Sequence, residues 1–260
     1  MSSLATSSKE AQDSKAQGST PRTMTLCGEA FEPCAGGALW WAAERTLIVA
    51  DLHLEKGSSF ATKGVFLPPY DTTATLTRLA QIITHRKPQR VIALGDSFHD
   101  QGGPARLVPS DLLALTALTA AVEWIWIAGN HDPVPPAGLG GTFSDELMIG
   151  GLTFRHEPAK GAVDGEIAGH LHPVARLRRN GRSVRRRCFA TNGARLILPA
   201  FGALTGGLNV LDDAFAPIFS GRKFTAWMIG TDEVYPVLGR KLSTDMALPA
   251  NPWAFRKPRD

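Results

Sequence analysis

The sequence predicts an α/β fold in which a parallel sheet with helical crossovers is followed by a second, mostly antiparallel sheet. Three observations predict it. Short apolar runs at 46–50, 90–94 and 124–127 alternate with two stretches of helical periodicity, the order of a βαβαβ unit. Beyond residue 145 short apolar segments separated by Gly turns take over, as in antiparallel strands. No segment repeats at a period of about 20–50 residues, which excludes a solenoid or propeller.

The first 24 residues are rich in Ser, Thr, Lys and Gln and lack the apolar stretch of a secretory signal. They read as a disordered leader, 1–24, with Met24 a candidate start. Residues 46–50, Thr-Leu-Ile-Val-Ala, are a buried strand ending at Asp51. Asp71 is placed to cap a helix whose apolar face is Leu76, Leu79, Ala80 and Ile83. Lys87-Pro88 stops that helix before the second strand. Ser110 is placed to cap the next helix, 112–122, and 124–127 is the third strand. Further strands are expected at 147–149, 152–155, 166–168, 196–198, 208–211 and 226–229. The ordered domain spans 25–245, and a Pro-rich basic tail occupies 246–260.

Composition sets the outer limits. With 260 residues, 43% of them apolar, the chain can bury a core without metal or disulfide staples. No run of 18 apolar residues exists, so no transmembrane helix and no membrane partner are expected. The three cysteines, Cys27, Cys34 and Cys188, are odd in number and have no metal-finger spacing. They read as free thiols of a cytoplasmic protein.

The net charge of +4 is unevenly spread. Between Glu166 and Asp212 there is no acidic residue but eight arginines, so the rest of the chain sums to 4 − 8 = −4. Seven of these arginines flank Asn180-Gly181, a type I′ turn signal. A two-residue turn sets Arg179 opposite Arg182 and Arg176 opposite Arg185. Arg176, Arg178, Arg185 and Arg187 then share one face. Like charges directly opposite are unfavourable, so the ribbon suits a polyanion, and arginine is well matched to a phosphodiester backbone. A solvated ribbon, or one paired with the acidic remainder of the chain, is the plainer alternative.

Each apolar strand ends in polar groups that a buried strand does not need: Asp51-Leu-His53, Gly95-Asp96, Gly129-Asn130-His131-Asp132, His156 and Gly169-His170-Leu-His172. Five of the seven histidines lie in these motifs. Turn chemistry accounts for a lone Asp or Asn, but not for five histidines in this order. Ligands in open α/β sheets bind beyond the carboxyl ends of the strands, so these groups can converge. Mixed oxygen and nitrogen donors without thiolate suit Mn²⁺, Fe or Zn²⁺. The set exceeds one ion's needs, and two ions sharing a carboxylate suit phosphoryl chemistry.

Taken together, DxH, GD, GNHD, a lone His and GHxH resemble the calcineurin-like metallophosphoesterase superfamily. Further segments, among them Asp-Leu-His-Leu-Glu-Lys-Gly, Ala-Leu-Gly-Asp-Ser-Phe-His-Asp and Ala-Phe-Gly-Ala-Leu-Thr-Gly-Gly-Leu-Asn-Val, resemble the bacterial ligase-associated DNA damage response endonucleases of the PdeM group. The resemblance implies a sandwich of two face-to-face sheets flanked by helices. It implies that Asp51, His53 and His172 hold one ion, that Asn130, His156 and His170 hold the other, and that Asp96 bridges both. His131 would assist the leaving oxygen, Asp132 would orient His131, and Asn130 would stabilise charge. The implied cofactor is two divalent ions, Mn²⁺ first. The implied partners are DNA, an ATP-dependent DNA ligase and an associated repair nuclease or helicase. One departure is that His156 lies in Arg-His-Glu-Pro, where many relatives have Gly beside this histidine. Competing readings are a phosphoesterase for small phosphoesters or nucleotides, and a metal-binding repair scaffold. His99 and Asp100 read equally as substrate contacts or as loop, and Lys56 as an exposed lysine.

Overall fold

The computed structural model describes residues 22–134 and 138–245. Of the expected leader only residues 22–24 fall among these, and the expected tail, 246–260, lies outside them. Met24 opens β1 (Met24–Leu26). This strand is followed in the first sheet by β2 (Glu29–Pro33), β3 (Leu39–Trp41), β4 (Thr46–Val49), β5 (Arg90–Leu94), β6 (Glu123–Ile127) and β7 (Thr142–Ser144), side by side in chain order. Strands β4 to β7 run parallel, as the alternation with helices requires. The antiparallel edge β1–β3 is an addition that the sequence pattern did not reveal. Helices α1 (Lys56–Ala61) and α2 (Asp71–Arg86) join β4 to β5, and α3 (Gly103–Arg106) and α4 (Pro109–Ala121) join β5 to β6.

The second sheet holds β8 (Glu146–Ile149), β9 (Leu152–Arg155), β10 (Glu166–Ala168), β11 (Val174–Arg179), β12 (Arg182–Thr191), β13 (Arg195–Ile197), β14 (Thr225–Ile229) and β15 (Val234–Leu238). Its order is β15-β14-β12-β13-β10-β9-β8, with β11 paired to β12 alone. Most pairs are antiparallel, but β9, β10 and β13 are mutually parallel.

Side chains alternate faces along a strand, and this alternation builds the layers. Ile48, Ile92, Leu94, Ile125 and Ile127 of the first sheet meet Phe154, Ile167, Phe189 and Leu196 of the second in one buried cluster. The intervening Leu47, Val49, Val91, Ala93, Trp124 and Trp126 pack outward against Leu76 and Leu79 of α2 and Leu115 of α4. The sheets therefore lie face to face, with helices over the first. The outer face of the second, Cys188, Ala190, Ala226 and Met228, is covered by Phe215, Phe219 and Phe224. Each fully buried Leu, Ile, Val or Phe among these contributes roughly 1.5–3 kcal/mol.

Three local expectations are corrected. Asp71 is the first helical residue rather than a cap, because its carboxylate accepts the Gly57 N–H at 3.1 Å and ties α2 to α1. Ser110 is not a cap either. Val108 holds that place and Pro109 starts α4, where its missing N–H costs nothing. Residues 208–211 form no strand and touch β11 through one bridge, Val174 to Asn209. The chain there is drawn against the backbone after β10: a Cβ on Gly207 would collide with the His172 carbonyl.

Candidate metal centre

The parallel strands of both sheets deliver the polar motifs to one edge of the sandwich. Asp51 and His53 follow β4, Asp96 follows β5, Asn130 and His131 follow β6, His156 follows β9, and His170 and His172 follow β10. Backbone bonds lock the turns together: the Asp51 N–H donates to the Gly95 carbonyl, His53 to Asp96 and Gly169 to His156. Asp51, His53, Asp96, His170 and His172 all adopt left-handed backbone, with φ between 43° and 69°. That conformation costs a non-glycine residue about 1–2 kcal/mol, and such strain clusters at functional sites.

The carboxylates are held by main chain. The His170 N–H donates to Asp51 Oδ2 at 3.0 Å, and the His131 N–H donates to Asp96 Oδ1 at 2.9 Å. Close approach demands glycine around the carboxylates. A Cβ on Gly129 would collide with the Asp96 main chain and carboxylate, and one on Gly169 would lie 2.6 Å from Asp51 Oδ2.

Two groups of donor atoms result. In one, Asp51, His53 and His172 converge: His172 Nε2 lies 3.3 Å from Asp51 Oδ1 and 3.3 Å from His53 Nε2. In the other, Asp96, His156 and His170 converge, and Asn130 joins them with Oδ1 2.9 Å from His156 Nε2. Asp96 lies between the groups, with Oδ1 3.4 Å from His156 Nε2 and Oδ2 3.9 Å from His53 Nε2. Asp51, His53, Asp96 and His156 form a buried floor, while His131, His170 and His172 are half-buried at its rim.

The residues fit divalent cations. His156 Nδ1 donates to the Leu94 carbonyl at 2.9 Å. In the neutral ring Nε2 is then a lone pair, and it faces Asn130 Oδ1, Asp96 Oδ1 and His170 Nδ1. Among the described residues, no lysine or arginine lies within 4 Å of the Asp51 and Asp96 carboxylates, whose basic neighbours are all imidazoles. Buried carboxylates need a compensating charge. Burial pulls the His156 imidazole down, but its bond to Asp96 and the charges of Asp51 and Asp96 outweigh it and raise the pKa to about 9. For Asp96, burial works upward, and the His156 contact and the His131 N–H bring it down to about 2. Burial, then the neighbouring His172, lower His53 to about 3. The site draws in positive charge while keeping His53 neutral, the form that binds metal.

His131 stands at the rim with Nδ1 on the His99 carbonyl at 2.7 Å and Nε2 3.8 Å from Asp96 Oδ2. Asp132 makes no hydrogen bond to His131 among the described residues. Its carboxylate accepts the Phe98 N–H at 3.0 Å and braces the turn after Asp96. The ring of His99 stacks on His131 with centroids 5.2 Å apart, and its Nδ1 lies 3.5 Å from His53 Nδ1. Asp100 is bound to Arg106. Lys56 is half-buried near Phe60, and burial lowers its pKa.

The arginine ribbon leaves the sheet directly after His172. Its register sets Arg176 opposite Arg185 and Arg179 opposite Arg182. Arg178, Arg179 and Arg182 are exposed and have no side-chain partner among the described residues. Arg187, expected to share one face with Arg176, Arg178 and Arg185, is half-buried and donates to the Ala200 carbonyl at 2.7 Å. Arg195 does not belong to the patch. It is buried against Glu166 at 2.5 Å and clamps the loop before β10 through the Gly161 and Ala159 carbonyls.

A family model described as calcineurin-like phosphoesterase matches residues 44–194, more than half of the chain. The solved structure of Pseudomonas putida nuclease MPE is similar at 28% identity and a TM-score of 0.65, covering 84% of this chain and 100% of that one. Yfce, a phosphoesterase from E. coli, is similar at 14% identity and a TM-score of 0.37, covering 74% of this chain and 98% of that one. No curated protein matches the chain in sequence.

Proposed function

The chain belongs to the calcineurin-like phosphoesterases and is a metal-dependent phosphoester hydrolase, and on that premise we propose that it is a phosphodiesterase cutting DNA. The observation that carries the reading is the pair of acceptor clusters joined by Asp96, with an arginine-rich ribbon whose first strand begins two residues beyond His172. The likeness to a protein named as a nuclease supports it. The donor set of carboxylate, amide and imidazole favours Mn²⁺, with Fe or Zn²⁺ as alternatives. Action in repair beside an ATP-dependent ligase and an associated nuclease or helicase is part of this reading and rests on the sequence motifs. So is a cytoplasmic setting, which three unbridged cysteines favour. Among the described residues, no helix is long and apolar enough to cross a membrane.

Asp51, His53 and His172 would hold one ion, Asn130, His156 and His170 the second, and Asp96 both. The pair supplies the Lewis acidity that phosphoester hydrolysis needs. The chain's own groups do the rest. Asp51 and Asp96 are fixed by main-chain N–H groups, so the site is organised before substrate arrives. Asn130, at the rim, can orient a phosphoryl oxygen. His131 keeps Nδ1 on the His99 carbonyl and so aims Nε2 inward, where in its protonated form it can donate to the leaving oxygen. The outward arginines hold backbone phosphates without reading bases.

The test is nicking of supercoiled plasmid by purified protein with Mn²⁺, beside Asp96→Asn. Nicking by the wild type alone is the expected result. No nicking by either, with turnover of a small phosphoester retained, would contradict the assignment to DNA.

A further inference from the structure

Resting on the reading that DNA is the substrate, we infer that Arg176, Arg185 and Asn209 form a phosphate subsite beside the metal centre, and that the chain's own Asp245 fills it until a backbone phosphate displaces it. Asp245 Oδ1 accepts from Arg176 Nε at 2.9 Å, Arg185 Nε at 3.3 Å and Asn209 Nδ2 at 3.2 Å. Three donors converging on one anionic oxygen, two of them arginines, can equally hold a phosphate oxygen. The two arginines are cross-strand partners, and like charges so placed repel unless an anion lies between them.

The carboxylate is carried there by a segment that bridges β11 at Arg176, beside the bridge from Val174 to Asn209. The Ser243 N–H donates to the Arg176 carbonyl at 2.8 Å, and Asn209 Nδ2 donates to the Ser243 carbonyl at 3.1 Å. Burial works against the Asp245 charge, but the bonds from Arg176, Asn209 and Arg185 outweigh it and hold the carboxyl below its ordinary range. The subsite also adjoins the chemistry. Arg185 donates through its terminal nitrogen to the Gly207 carbonyl at 2.8 Å, and Gly207 is pressed against the His172 carbonyl.

The occupant is weakly held. Asp245 is 39% exposed, Arg185 38% and Arg176 21%, and ion pairs so open to solvent on the carboxylate side contribute about 1 kcal/mol. A polymer presenting many phosphates can displace such a carboxylate, whereas a strong buried pair would resist. The contact therefore acts as a modest discriminator in favour of extended polyanions.

The test is the KM for plasmid DNA of the full-length, metal-loaded enzyme. Wild type is compared with Asp245→Asn and Asp245→Ala, each also in an Arg176→Ala/Arg185→Ala background. Both Asp245 variants should lower KM about fivefold at low salt, the equivalent of about 1 kcal/mol. The gain should shrink as salt rises and vanish when the arginines are gone. An unchanged or raised KM, or the same drop without the arginines, overturns the inference and leaves the DNA reading intact. Absence of DNA cleavage by the wild type and both Asp245 variants overturns the two together.

Discussion

The metal centre and the arginine ribbon are the two places where this chain concentrates charge, and they are built in opposite ways. The centre gathers acceptors on tight turns, most of them strained, and its two buried carboxylates are fixed by main-chain N–H groups that follow other strands. The ribbon spreads cations over a two-stranded projection, and its outer arginines lack side-chain partners among the described residues. A site that must hold ions at fixed separations needs the first construction. A surface that must follow a flexible polyanion needs only the second. The centre should therefore fail at single changes of one or two atoms, whereas the ribbon should weaken in increments.

Asp96→Asn should have the largest effect. Its two oxygens face the two donor groups, so loss of the charge should reduce turnover of a small chromogenic diester about 10³-fold or more. Activity within a few fold of wild type would break the dinuclear account. Next comes His131→Ala, expected to lower turnover roughly 10²- to 10³-fold while metal content stays the same. If elemental analysis found the metal gone, His131 would be a ligand instead. Gly129→Ala sharpens the contrast, because one methyl group would displace the Asp96 turn. A displacement of this kind should cost about 10²-fold in turnover, and an active variant would show that the turn yields. Least severe is replacement of Arg176, Arg178 and Arg185 by Ala. DNA binding should weaken on the order of tenfold and its salt dependence should flatten, with a much smaller effect on the chromogenic diester. Equal losses on both substrates would erase the distinction between the two regions.

These regions were not equally legible in the sequence. Metal-ligand candidates could be picked out because each follows an apolar run, and parallel strands bring their carboxyl ends together. The ribbon's register could be read because Asn180-Gly181 dictates a two-residue turn. Contacts made by the main chain or across long separations left no signal. The His99 carbonyl that orients His131 has no side-chain signature, and Asp132 was free to brace Phe98 instead. Asp71 and Ser110 matched the capping pattern, yet Asp71 bonds to α1 and Pro109 already starts α4. Arg195 looked like one more basic residue because its partner Glu166 lies 29 positions earlier. Asp245 lies 69 positions after Arg176, so nothing local marks it as the ribbon's counter-charge.

Asp96 is the residue on which a two-ion centre depends. Calorimetric titration of metal-free protein with Mn²⁺ tests this most directly. The wild type should bind two ions per chain, and Asp96→Asn should fail to hold both. A wild type that bound a single ion, or an Asp96→Asn variant that retained two with unchanged affinity, would contradict it.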